Sequence, residues 1–188
     1  MLRRLASFLA FLLLALSWSS AWADGYDDTI AAFKKAGQSG AYFGKSYGYA
    51  VFPTIGKGGF VVGGAYGKGR VYEKGKYVGD TSMTQLTAGA QLGGEAYSQI
   101  IFFDDQSAFK EFTSGNFEFG AQAQAVAITA GASAAATTTG STAGANVSQH
   151  SAKNVGSSYR GMTTFTMVKG GLMYEASVGG QKFNYKMK

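Results

Sequence analysis

The 188-residue chain contains no cysteine and a single histidine, His150. Without cysteine there is no disulfide framework, no thiolate ligand for zinc and no cysteine for N-terminal lipidation. A Ser-His-Asp triad would have to use His150, which lies in a stretch of small residues without a strained glycine turn to present a nucleophile. We therefore expect no enzyme activity, no metal site and no cofactor.

Long apolar runs are also scarce, and the one at residues 5–16 stands close to the N-terminus. It is shorter than the roughly 20 residues that span a bilayer. Two arginines precede it, and the small-x-small pattern AWA that ends at Ala23 follows it. This order predicts a signal peptide over residues 1–23 and a single domain over residues 24–188. We expect an exported protein, peripherally membrane-associated in the periplasm or cell envelope.

Glycine is what the chain has in excess, with 28 residues. Thirteen of them fall between residues 48 and 94, among valine, phenylalanine and tyrosine rather than in a flexible linker. Glycine amid β-branched and aromatic residues indicates bent strands, bulges and close backbone contacts. The composition predicts a mainly β domain with a few short helices, built on a compact antiparallel sheet or barrel-like core over residues 48–128.

Two helices are expected outside this sheet. Apolar residues recur at helical spacing over residues 24–36, at Tyr26, Ile30 and Phe33. This N-terminal helix either docks on the sheet or inserts into a membrane, and we favour docking. A short second helix is expected after Asp104 or Asp105, because aspartate accepts hydrogen bonds from the free N–H groups of a first turn.

Strand and turn signals follow along the chain. A strand over residues 48–52 should stop at Pro53, and the Lys-Gly pair at residues 74–75 should turn a hairpin. Strict alternation over residues 117–127 predicts one half-buried strand. Residues 129–158 have so few large apolar side chains that we expect a low-complexity, partly mobile segment.

Positive charge is concentrated in two segments of the chain. Residues 57–76 hold five basic side chains and one acid, and residues 153–188 hold six and one. Basic side chains beside tight turns suit contact with an anionic surface, where each contributes about 1 kcal/mol of salt-sensitive attraction. On composition alone, a solvated surface is the simpler interpretation of these charges.

Two motifs are specific enough to indicate a family: VFPTIGKGGFVVGGAYGKG from residue 51 and QLGGEAYSQIIFF from residue 91. With NFEFGAQAQAVAITAGA, which begins at residue 116, the chain resembles the SYLF domain family from about residue 27 to its end. The resemblance implies a lipid-binding module without catalysis. Eukaryotic members bind phosphoinositides and actin, but the expected export places this chain away from actin.

Because of this resemblance, we favour lipid binding over a solvated surface as the interpretation of the basic side chains. It implies an anionic phospholipid membrane surface as the partner, with phosphoinositide-like or bacterial anionic headgroups. The candidate lipid-binding residues are Lys57, Lys68, Arg70, Lys74, Lys76, Lys34 and Lys35. The last predicted strand supplies the next candidates, Lys182, Lys186 and Lys188.

Three other functions were weighed against lipid binding. Nucleotide binding is disfavoured, because the segment GAYFGKS at residues 40–46 is one residue shorter than the GxxxxGK[ST] motif of phosphate-binding loops. Nucleic-acid binding is disfavoured by the expected export and the modest charge. The main alternative is a small integral outer-membrane β-barrel or an envelope structural protein, since the glycine and tyrosine content suits eight strands.

Overall fold

A computed structural model describes residues 21–59, 62–88, 93–128, 158–170 and 178–188 of the chain. The helices are α1 (Ala21–Lys35), α2 (Gly37–Gly40) and α3 (Gln106–Phe112). The strands are β1 (Gly48–Gly59), β2 (Val62–Glu73), β3 (Lys76–Ala88), β4 (Gly93–Phe103), β5 (Phe117–Glu118), β6 (Ala125–Ile128), β7 (Met162–Gly170) and β8 (Gln181–Met187).

The eight strands of the described residues form one sheet, in the order β5-β8-β3-β2-β1-β4-β7-β6. Neighbouring strands pair antiparallel, except for the parallel pair β6 and β7. The sheet is curled into a half-barrel. The predicted fold class, mainly β with a few short helices, is confirmed.

The predicted hairpin joins β2 to β3. Lys74 and Gly75 form its two-residue turn, with φ angles of 49° and 80°. Positive φ at both central residues gives a turn whose twist matches that of the flanking strands. Twelve residue pairs join β2 to β3, with one register shift between Val71 and Tyr72, and these two strands carry part of the candidate site.

The prediction that a strand stops at Pro53 is wrong, because β1 continues to Gly59. Pairing of β1 with both neighbouring strands shifts register around Pro53. Proline has no N–H to donate. A bulge takes the proline out of the hydrogen bonds between strands without ending the strand. The Pro53 carbonyl accepts a hydrogen bond from the Ser98 hydroxyl at 2.9 Å.

The prediction of one strand over residues 117–127 is also wrong. Only β5 and β6 are strands there, and they lie at opposite edges of the sheet. The alternation reflects burial: Phe117, Phe119 and Ala123 are all buried, yet the Ala123 N–H donates to the Gly120 carbonyl in a turn. The low-complexity segment predicted at residues 129–158 lies outside the described residues, except for Ser158.

The concave face of the sheet holds an aromatic core. Phe52 of β1 and Phe183 of β8 have two strands between them, yet their ring centroids lie 5.7 Å apart. In a flat sheet these strands would be about 14 Å apart, so the curl brings the rings together. Helix α3 covers this core with Ala108 and Phe112, and the Asp105 side chain caps the helix by accepting from the Ala108 N–H at 2.9 Å.

The convex face is partly covered by α1. Tyr26, Ile30 and Phe33 are buried there against the side of the sheet that carries Val51 and Phe165. The helix therefore docks on the sheet, as favoured from its sequence. Of the helices in the described part of the chain, none is long and apolar enough to cross a membrane. Residues 1–20 of the predicted signal peptide lie outside the described residues.

A close contact in β2 gives a test of this packing. A Cβ atom added at Gly69 would lie 2.6 Å from Cδ1 of Phe52 and 2.8 Å from the Val51 carbonyl oxygen. We expect Gly69→Ala to lower the free energy of unfolding by about 1–3 kcal/mol, because the backbone oxygen cannot move aside. Urea unfolding followed by circular dichroism measures the change.

Gly56 provides the matched control for this substitution. A Cβ atom there would meet nothing within 4 Å. Gly56→Ala should leave the stability unchanged or raise it by about 0.5–1 kcal/mol, because glycine is unfavourable inside a strand. Equal losses in the two variants would contradict the packing described for Gly69.

Candidate functional site

Three neighbouring strands, β2, β3 and β8, form a polar surface on the convex face of the sheet. Their register creates three rows: Tyr66, Thr84 and Lys182; Lys68, Ser82 and Asn184; Arg70, Asp80 and Lys186. Residues directly opposite each other in antiparallel strands have Cβ atoms about 5 Å apart on one face. We call the four basic residues of these rows the convex basic patch: Lys68, Arg70, Lys182 and Lys186.

A hollow of about 530 Å³ lies over three of the four residues of the patch. Its lining includes Lys68, Arg70 and Lys186, with Tyr26 of α1 and Tyr66 of β2. A volume of this size falls within the range of small-ligand sites in proteins. The hollow therefore combines positive charge with aromatic side chains that can contact the apolar part of an amphipathic ligand.

Arg70 has a structural role as well as a charge. Its guanidinium carbon lies 4.2 Å from the ring centroid of Tyr26 and 5.0 Å from that of Tyr77. A guanidinium within about 6 Å of a tyrosine ring is attracted by the electrons of the ring face. Burial raises the pKa of Tyr26, and the charge of Arg70 opposes part of that rise. Arg70 thus helps to hold α1 on the sheet.

Lys57 does not join the patch. Its ammonium lies 3.1 Å from a carboxylate oxygen of Glu95, and only 18% of its side chain is exposed. It is paired in the sheet with Ala65, which belongs to the concave core, so it faces away from the convex surface. The Glu95 carboxylate neutralises the charge of Lys57, which the sequence analysis places among the candidate lipid-binding residues.

The other predicted site residues lie at a distance from the patch. Lys74 and Lys76 are exposed at the β2–β3 turn, about 20 Å along the strand from Lys68. Lys34 and Lys35 are exposed in the last turn of α1, about 12 Å from Tyr26 at the edge of the hollow. These four lysines extend the positive surface without lining the hollow.

Lys182 and Lys186, the second choice from the sequence, lie inside the patch, whereas Lys188 is outside it. Lys188 places its ammonium 5.0 Å from the ring centroid of Tyr77. Lys182 lies 3.4 Å from a carboxylate oxygen of Glu118, an exposed pair in which the lysine side chain is 68% accessible. Lys186 is exposed at the rim of the hollow.

Lys169 of β7 is a convex-face residue that the sequence analysis did not select. Its ammonium donates to the Thr54 hydroxyl at 3.3 Å. Thr54 is paired with Lys68 in the sheet, which brings a further positive charge beside the patch. Nothing local in the sequence marks Lys169, since its position depends on the pairing of β7 with β4 and of β4 with β1.

The paired carboxylates Asp104 and Asp105 are engaged in holding the fold. Asp105 caps α3, and Asp104 accepts a hydrogen bond from the Ser158 hydroxyl at 2.7 Å. This confirms capping by one of the pair, as predicted. The two carboxylates serve different partners and do not converge on a common site.

Comparison with protein families places this fold in a known class. The family model Ysc84, described as Las17-binding protein actin regulator, matches residues 84–186, which is more than half of the chain. The chain belongs to this family, which is the SYLF domain family. The family is known for lipid binding and actin regulation and is not a family of enzymes. Among curated proteins, none matches the chain.

Proposed function

We propose that this chain is an exported, non-catalytic module that binds anionic membrane lipids through the convex basic patch. One observation carries the proposal: Lys68 of β2 shares its face with Lys182 and Lys186 of β8, although more than 100 residues of chain separate them. Membership of a lipid-binding family supports the same function.

The charge balance of the surface favours an anionic ligand. The patch has four basic side chains, and the acids beside them are Asp80 and Glu118. Asp80 also accepts a hydrogen bond from the Tyr77 hydroxyl at 2.8 Å. The remaining positive charge attracts anionic headgroups, and added salt weakens this attraction over a Debye length of about 8 Å at physiological strength.

Neutralising two lysines of the patch tests the proposal. We expect Lys68→Gln/Lys186→Gln to lower partitioning onto phosphatidylglycerol vesicles about 30-fold at low salt, since each lysine contributes about 1 kcal/mol. Both side chains are exposed, so the fold should be kept. Co-sedimentation of protein purified after export, over a lipid titration, gives the partition coefficient. Arg70 is left in place because it also holds α1.

Lys45→Gln/Lys110→Gln is the matched control. Both lysines are exposed and removed from the patch, with Lys110 on α3 over the concave core. The control should bind nearly as well as the parent protein. Equal losses in the two double variants would show that net charge, and not this patch, determines binding. Equal binding of the parent to phosphatidylcholine vesicles would contradict recognition of anionic lipid.

The proposed export determines which partners the chain meets. The signal-peptide pattern supports cleavage after Ala23 and a location in the periplasm or cell envelope. Such a location separates the chain from actin, which the family description names. Mass spectrometry of the protein recovered after expression in a Gram-negative host should show an N-terminus at Asp24. An intact N-terminus in the cytoplasmic fraction would contradict export.

A further inference from the structure

The convex face carries two exposed apolar side chains beside the basic patch. Among the described residues, the large hydrophobic side chains that are exposed are Tyr66 at 51%, Leu86 at 85% and Met187 at 75%. Tyr66 and Leu86 lie near one end of the β2–β3 hairpin, far from its turn, whereas Met187 lies at the opposite end of the sheet beside Gly79.

Strand alternation fixes the direction in which Leu86 points. Its neighbour Gln85 is buried and donates to the Gly179 carbonyl, and Met83 belongs to the concave core. Leu86 therefore projects from the convex face. Its direct partner on β2 is Gly64, and Tyr66 is the diagonal neighbour, close enough for the two side chains to form one apolar tip.

The described sheet residues beside this tip are mainly glycines. Gly58 and Gly94 continue the row that holds Gly64 and Leu86, so the described residues of this row on β2, β1 and β4 have no side chain beside the leucine. The Cβ position at Gly56, opposite Tyr66, faces open space. Among the described side chains at this end of the sheet, Leu86 and Tyr66 are thus the exposed large apolar ones that a flat partner would meet.

Positive charge borders the tip on the side of the patch. Lys68 lies two residues beyond Tyr66 on the same face of β2, and Lys182 is paired with Thr84, which is opposite Tyr66. An anionic bilayer matches this order of groups, because leucine favours the acyl region, tyrosine the headgroup level and lysine the phosphates. A purely polar anionic ligand would leave Leu86 in water.

We propose that the protein seats on an anionic bilayer with the tip formed by Leu86 and Tyr66 inserted at the boundary between headgroups and acyl chains. Helix α1 stays docked on the sheet, because Tyr26, Ile30 and Phe33 are already buried there. This inference rests on the proposed function and adds the orientation of the bound domain and an apolar component of its attachment.

A single-cysteine label tests the insertion directly, because the chain has no cysteine of its own. Leu86→Cys carrying an environment-sensitive fluorophore should brighten and shift to the blue on phosphatidylglycerol vesicles, and a lipid-attached quencher should reduce its emission. The matched control is Met187→Cys with the same label, which should remain in water. The protein is purified after export, and co-sedimentation is measured on the same samples.

The outcomes separate this inference from the proposed function. If the protein sediments with vesicles while the label at position 86 stays in water, the orientation is wrong and lipid binding stands. If the protein does not sediment, both proposals fail. If the label is already shielded without vesicles and the shielding grows with protein concentration, a second copy of the chain covers the tip and the inference is overturned.

An unlabelled variant gives a second measurement. We expect Leu86→Ser to weaken partitioning onto these vesicles about tenfold, and Met187→Ser to leave it unchanged. Both positions are highly exposed, so neither change should unfold the protein. The loss from Leu86→Ser should persist at high salt, unlike the loss from the patch lysines. A loss that disappears at high salt would contradict apolar insertion.

Discussion

Replacing Phe183 by alanine is expected to lower the free energy of unfolding by about 3–5 kcal/mol. The ring is 1% exposed and lies at the centre of the concave core. Four aromatic rings surround it, with centroids at 5.1–6.0 Å: Phe52, Phe112, Phe117 and Phe119. These rings come from β1, β5, α3 and the segment after β5, which cannot all move inward, so a cavity should remain.

Urea unfolding of Phe183→Ala, followed by circular dichroism, measures this loss. Met187→Ala on the same strand is the control, because Met187 is 75% exposed and its truncation should change stability by less than about 0.5 kcal/mol. Similar losses for both variants would contradict the central position of Phe183. The folded fraction of Phe183→Ala should still bind vesicles, since the ring faces away from the convex patch.

The second large effect is expected at Phe33 of α1, which is 0% exposed in the convex core. Phe33→Ala should lower the free energy that holds α1 on the sheet by about 3–5 kcal/mol. Once released, the helix would present Tyr26 and Ile30 to solvent. An amphipathic helix with a free apolar face binds membrane interfaces, so vesicle binding should become stronger.

Amide exchange across α1 and vesicle co-sedimentation measure the two halves of this prediction. Exchange should accelerate in residues 24–35, the part of α1 that remains after the proposed cleavage, while the strands keep their protection. Ala31→Ser is the control on the exposed side of the same helix and should change neither measurement. Weaker vesicle binding by a Phe33→Ala protein whose strands remain protected would indicate that the docked helix itself contributes to the lipid site.

Several elements of the fold could be predicted because their causes are local. The helical spacing of Tyr26, Ile30 and Phe33 marks one face of a helix, and that face is the one buried on the sheet. The turn at residues 74–75 has positive φ at both residues: Gly75 adopts it freely, and Lys74 adopts it at φ 49°. The cap of α3 needs only Asp105, whose carboxylate accepts a hydrogen bond from the N–H of Ala108, three residues further along the chain.

Predictions that extended a local rule over a whole strand were wrong. Pro53 removes one hydrogen-bond donor, but β1 has partners on both sides whose register shifts around it, so the strand continues. Of the alternating residues at 117–127, Phe117, Phe119 and Ala123 are buried in a core that reaches beyond the sheet, so their burial does not require strand pairing. In both cases contacts from distant segments outweighed the local preference.

The sequence by itself determined the glycine-dense β domain, its N-terminal helix and its family. It also placed Lys68 and Arg70 among the candidate site residues. Only the tertiary structure decided which lysines belong together. Pairing of β3 with β8 places Lys182 and Lys186 on the same face as Lys68. Pairing of β1 with β4 places Lys57 opposite Glu95, with which it forms an ion pair. Strand register depends on the burial of one face along the whole sheet, and no short segment contains that information.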